Sequence, residues 1–110
     1  MAANYLEIIR AKAIKDKFDL SQHAQKEAGE EEVSVDDIKQ VLNSGRLLEP
    51  YPNDPRGASC LIVGQDRSKR WVHVLCGNFD RENFLVITVY LPTLPKWKDQ
   101  FTRGRSYESK

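Results

Sequence analysis

The sequence predicts a single α+β domain in which two or three N-terminal helices pack on a four-stranded, mostly antiparallel sheet. Three observations predict it. Apolar residues recur at helical spacing up to Gly45, then alternate at strand spacing from Arg46 onward. The strands follow one another through short polar turns, which favours an antiparallel meander. Helices precede strands rather than interleaving with them, so the helices are expected on one sheet face.

The elements follow in order. From Ala2 to Phe18, Tyr5, Ile8, Ile9 and Ala13 share one side of a helix, with Lys and Arg on the other. Ser21 is placed to cap a weaker helix running through Gln22, His23 and Lys26 to about Glu31. Ser34 caps a third, with Asp36 and Asp37 in the first turn, where the helix dipole favours acids. Ile38, Val41 and Leu42 face a core, and Gly45 is expected to end that helix as a left-handed glycine. Arg46–Glu49 is a short strand, and Pro50 to Gly57 is a loop because it holds three prolines and a glycine. Ala58–Gly64, Arg70–Cys76 and Phe84–Leu91 complete the sheet. The single domain thus runs from a helical region (residues 1–45) through a sheet region (residues 46–101) to a basic tail (residues 102–110).

At 110 residues the chain has room for one modest core. Its 17 basic and 16 acidic residues nearly cancel, so no overall polycation points to nucleic acid. The charges are unevenly spread. Glu30, Glu31, Glu32, Asp36 and Asp37 form an acidic patch, while Lys96, Lys98, Arg103, Arg105 and Lys110 outnumber Asp99 and Glu108 after Pro95. No stretch approaches the ~20 apolar residues of a membrane span. Asn4, Glu7, Arg10 and Lys12 interrupt any signal-peptide core, so a cytoplasmic protein is expected. Cys60 and Cys76 lie in apolar strands and are expected as buried free thiols.

Strand alternation sorts the side chains. It places Val72, Val74 and Cys76 on the helix side with Leu85, Ile87, Val89 and Leu91. Trp71, His73 and Leu75 then share the opposite side with Val86, Thr88 and Tyr90. His73 is expected half exposed there, near Thr88. Two histidines with no third ligand at suitable spacing do not make a metal site. No Ser-His-Asp spacing, P-loop or dinucleotide fingerprint is present, so no cofactor is expected.

An ordered series of motifs runs through the chain: Ser21-Gln22-His23-Ala24, Val33-Ser34-Val35-Asp36-Asp37-Ile38, Val41-Leu42-Asn43-Ser44-Gly45, Tyr51-Pro52-Asn53-Asp54, Ser59-Cys60-Leu61-Ile62-Val63-Gly64, His73-Val74, Ile87-Thr88-Val89-Tyr90 and Lys96-Trp97. From about Tyr5 to Phe101 this resembles the small bacterial family called domain of unknown function 4258. That family is similar in size and layout to toxins of the RelE/ParE type, including the BrnT and MqsR branches. The resemblance implies a metal-independent ribonuclease acting on messenger RNA and shut off by an antitoxin with a zinc finger like that of MqsA. Two features depart from such toxins: the near-neutral charge, and an opening helix where those folds begin with a strand.

Metal-free RNA cleavage needs a base for the 2′-hydroxyl, an acid for the leaving oxygen and cations for the phosphorane. His73, His23 and Tyr90 are the expected catalytic residues, since imidazole titrates near neutrality and a phenol donates a hydrogen bond or stacks a base. Arg46, Arg70, Lys96 and Arg103 are the expected phosphate contacts, with Thr88 and Trp97 beside the RNA. The competing expectation is a non-catalytic module that binds another protein on the same face.

Overall fold

The fold is described from a computed structural model, for residues 4–93 and 96–104. Three helices and five strands follow in the order α1 (Tyr5–Ala13), β1 (Phe18–Leu20), α2 (Gln22–Glu30), α3 (Val35–Ser44), β2 (Arg46–Tyr51), β3 (Ser59–Gln65), β4 (Trp71–Gly77) and β5 (Phe84–Tyr90). The α+β class and the three helices agree with the sequence. The sheet has five strands rather than four, in the order β1-β5-β4-β3-β2, and it is mixed. Strands β2 to β5 form the antiparallel meander, while β1 pairs with β5 in parallel. The extra strand lies inside the segment read as helical. It is three residues long, too short for its alternation to register beside the flanking helical periodicity. Ala2, Arg105, Lys110 and Glu108, and with them most of the predicted basic tail, fall outside the described residues.

The helix boundaries have local causes. The Asn4 side chain accepts from the Glu7 amide and starts α1. Ser21 Oγ accepts from the Ala24 amide and donates to the Ile87 carbonyl, so one hydroxyl caps α2 and ties it to β5. Ser34 and Asp37 form a complete capping box at α3. The Asp37 carboxylate also accepts from the Arg67 amide and Nε, which docks the β3–β4 turn onto the start of α3. The Ser34 backbone bond, helped by Arg67, holds that carboxyl well below the usual range despite its burial.

Gly45 ends α3, but not in the left-handed conformation. Its φ of -78° and ψ of -171° are extended. Glycine is needed for space instead: a Cβ there would sit 2.5 Å from the carbonyl oxygens of both Val41 and Val63. At Gly64 a Cβ would lie 3.0 Å from the Gly45 Cα. The end of α3 therefore rests directly on β3, backbone against backbone.

The core lies between the helices and one sheet face. Ile9, Ala13, Ala24, Ile38, Val41 and Leu42 meet Cys60, Ile62, Val72, Val74 and Cys76 there. On β5 the sorting differs from strict alternation. Leu75 pairs with Thr88 and Cys76 with Val86, which leaves Ile87 as an extra residue in a β-bulge. Phe84, Val86 and Val89 therefore enter the helix-side core. Ile87 approaches Gly77 on the other face, where Gly77 pairs with Ser59 and Leu85. Val86, Leu85 and Ile87 are thus on the faces opposite to those expected, because one bulge reverses the sense of every residue before it.

Beyond the end of β1, the edge of β5 away from β4 has no strand neighbour among the described residues. Glu27 of α2 fills the gap by accepting from the Val89 amide at 3.0 Å. Cys60 and Cys76 stand directly opposite each other, both fully buried and both free. Burial pushes the Cys60 thiol up to about 12 and raises Cys76 well above its ordinary value.

Gly45→Ala should destabilise the fold by about 1–3 kcal/mol through overpacking, read as a lower urea midpoint with an unchanged slope. A maleimide should modify Cys60 and Cys76 only after denaturation. Fast labelling of the native protein at neutral pH would contradict their burial.

Candidate functional site

The face of the sheet away from the helices is partly covered by the chain itself. After β5 the segment 96–104 turns back as a short hairpin in which Trp97 and Arg103 bridge. Lys98 N donates to Thr102 O at 2.7 Å and Gly104 N to Lys96 O at 2.8 Å. This hairpin lies over the centre of the open face and splits it into two hollows.

His73 sits beneath the hairpin. It is fully buried rather than half exposed. The β5 bulge puts Tyr90, not Thr88, directly opposite it. His73 Nε2 lies 2.8 Å from the Gln100 carbonyl and Nδ1 lies 3.0 Å from the Tyr90 hydroxyl. A carbonyl only accepts, so Nε2 carries the proton and Nδ1 accepts from Tyr90. The Tyr90 oxygen in turn accepts from Trp97 Nε1 at 3.0 Å. The Trp97 ring meets the imidazole edge-on at 4.4 Å between centroids. The result is a closed chain from indole to phenol to imidazole to backbone, with every polar atom used. Burial lowers the His73 pKa from its ordinary value, and burial also pushes Tyr90 up to about 12.

Trp97, placed beside the RNA by the sequence, is 1% exposed and closes a small second core. His23 is not brought to His73. It is exposed on α2, on the helix side of the sheet, with Nε2 3.3 Å from Glu27. Arg70 is committed to the protein. It bonds the buried Asp66 carboxylate through Nε at 2.8 Å and the Glu31 and Glu32 carbonyls through its two terminal nitrogens. It therefore knits the β3–β4 turn to the end of α2.

Thr88, Tyr90, Lys96 and Arg103 do come together. They line a groove of about 620 Å³ on one side of the hairpin, with Tyr51 and Arg56 across from them. Arg103 is the hinge of this side. Its guanidinium bonds Glu49 at 3.1 and 2.7 Å, reaches the Tyr51 hydroxyl at 3.1 Å and lies 4.4 Å from the Trp97 ring centre. Tyr51 also donates to Glu49. Burial resists ionisation of Glu49, but the bonds from Arg103 and Tyr51 outweigh it and hold the carboxyl below its ordinary value. Lys96 lies over the Tyr90 ring, 5.3 Å from its centre. Arg56 pairs with Asp54 at the rim. Arg46 lies on the other side of the hairpin, with its guanidinium 4.2 Å above Phe101.

Sequence reading missed Glu49 and Tyr51, although β2 alternation offered a signal. Glu49 pairs with Leu61 and Tyr51 with Ser59, which places both on the open face. The loop assigned to Pro50 onward hid this, because an edge strand tolerates proline. Among the described residues no cluster of three metal-ligating side chains occurs, and no helix is long and apolar enough to cross a membrane.

His73→Ala should not leave the fold intact, as an exposed histidine would. It opens a cavity under Trp97 and strips partners from Tyr90 and Gln100, for a loss of about 3 kcal/mol. The imidazole is held neutral in the fold, whereas the unfolded chain protonates it near pH 6.5. Its stabilising contribution is complete above that value and falls as pH drops toward the lower folded pKa. Urea titrations at pH 7 and pH 5 should show this loss in the wild type and a smaller one in His73→Gln.

Residues 20–91 match the family model described as Domain of unknown function (DUF4258). No curated protein and no solved structure matches the chain. The match begins at the end of β1, takes in α2 and α3 and runs through the four-stranded meander to the residue after Tyr90. With most of its length covered by that match, the chain belongs to the DUF4258 family.

Proposed function

We propose that this protein acts on messenger RNA as the toxin of a toxin–antitoxin pair, and that it does so through the open face of its sheet. The observation that carries the reading is the groove, where Lys96 and Arg103 flank the aromatic rings of Tyr51 and Tyr90. Cations beside aromatic rings are what single-stranded RNA requires, for its phosphates and its unstacked bases. The layout of the matched region adds support. It takes in Leu20 at the end of β1, then α2, α3 and the antiparallel meander, while α1 lies ahead of the match. The opening helix that sets the sequence apart from toxin folds thus lies outside the matched region.

Cleavage on this face proceeds by positioning and charge. Lys96 and Arg103 are the groups that would stabilise a phosphorane. His73 is no general base, because Gln100 and Tyr90 occupy both its nitrogens. Tyr90 shapes the groove wall, with Lys96 over its ring. A protein antitoxin, with an MqsA-like zinc finger as the family resemblance suggests, would silence the toxin by covering the same face.

A second reading, a non-catalytic protein-binding module, is favoured by one observation. Two of the three groove cations are already paired, Arg56 with Asp54 and Arg103 with Glu49.

Induced expression should arrest growth, and co-expression of the neighbouring gene should relieve the arrest. Lys96→Ala should weaken RNA binding and reduce the slope of log affinity against log salt by about 0.7, the value for one single-strand phosphate contact. Growth unaffected by expression, together with no RNA binding at low salt, would leave the protein-binding module as the function.

A further inference from the structure

On the far side of the 96–104 hairpin lies a second hollow of about 650 Å³. It is lined by Arg46, Arg67 and Lys69 together with Trp71 and Phe101. The two rings meet edge to face, with centroids 5.2 Å apart. The acids nearby are spent: Asp66 is buried and bonded to Arg70, and Asp37 is bonded to Arg67. Among the described residues, Arg46 and Lys69 have no carboxylate partner. The Arg46 guanidinium lies over the Phe101 ring, its carbon 4.2 Å from the ring centre. Lys69 is exposed at the β3–β4 turn.

Both hollows therefore pair cations with aromatic rings, and the hairpin between them carries Lys98, exposed. The one acid on that hairpin, Asp99, is turned back to accept from the Phe101 amide at 2.8 Å. We infer that the second hollow is a separate subsite for single-stranded RNA. The strand runs from the groove at Lys96, over the hairpin at Lys98, to Arg46 and Lys69. The inference rests on the RNA reading above and extends it, because nothing in that reading requires contact beyond the groove. Charge complementarity selects the occupant: a hollow with two uncompensated cations beside a Trp–Phe pair suits a phosphodiester carrying a base better than an apolar peptide.

The test uses fluorescein-labelled single-stranded polyuridine, with fluorescence anisotropy over a series of salt concentrations. Arg46→Ala with Lys69→Ala should weaken binding by roughly tenfold or more and lower the salt slope by about 1.4, two contacts at about 0.7 each. Lys15→Ala with Lys26→Ala, two exposed lysines on the helix side, should change neither slope nor affinity beyond a small long-range effect. Because Arg46 packs on Phe101, Lys69→Glu serves as a variant that leaves that contact alone. It should reduce affinity with the urea midpoint unchanged. If the wild type binds and the cleft variants bind equally well with the same slope, the second subsite is overturned while the RNA reading stands. If the wild type does not bind, both fall together.

Discussion

Burying a neutral imidazole between the sheet and the C-terminal hairpin is the constraint on which the open face depends. An unpaired polar group in that position costs several kcal/mol, so both nitrogens must find partners. One partner comes from β5 and the other from the backbone of the hairpin. The β5 bulge supplies the first, since without the extra residue Val89 rather than Tyr90 would stand opposite His73. The hairpin supplies the second and brings Trp97 with it. A single buried side chain thus fixes the register of β5 against β4 and the docking of a segment far along the chain.

That docking decides what the face can do. It converts an open sheet surface into two hollows with a ridge between them. It also takes the imidazole out of contact with any ligand, so the chemistry left to the face is that of cations and rings. Arg103 shows the same logic at the edge. Its pairing with Glu49 and Tyr51 is partly shielded and bidentate, which makes it more persistent than an exposed ion pair. The pair anchors the end of the hairpin and lines the groove at once.

The helix side is organised by close backbone approach. Gly45 and Gly64 let the end of α3 rest on β3, and Glu27 and Ser21 supply acceptors and donors where β1 stops short. These contacts leave one face of the sheet entirely covered by helices. The region matched by the family model spans this unit, while α1 packs from outside it through Ile9 and Ala13 and through Arg10 on the Gly45 carbonyl.

The sequence by itself determined the elements whose causes are local. Ser21 and Ser34 announce their helices because a cap acts within three residues, and Val72, Val74 and Cys76 announce a core face because alternation is intrinsic to a strand. Cys60 and Cys76 were legible as buried thiols for the same reason. It also placed Thr88 and Tyr90 on the open face, since both follow from alternation along β5. Tertiary structure alone decided the rest. The parallel β1 needs β5 as a partner more than sixty residues away, and three residues of strand carry no periodicity of their own. The bulge at Ile87 depends on what faces it across β4. The burial of His73 and Trp97, and the capture of Arg103 by Glu49, depend on where the hairpin lands. Each is a contact between segments distant in sequence, and neither residue type nor spacing encodes such a contact before the chain has closed on itself.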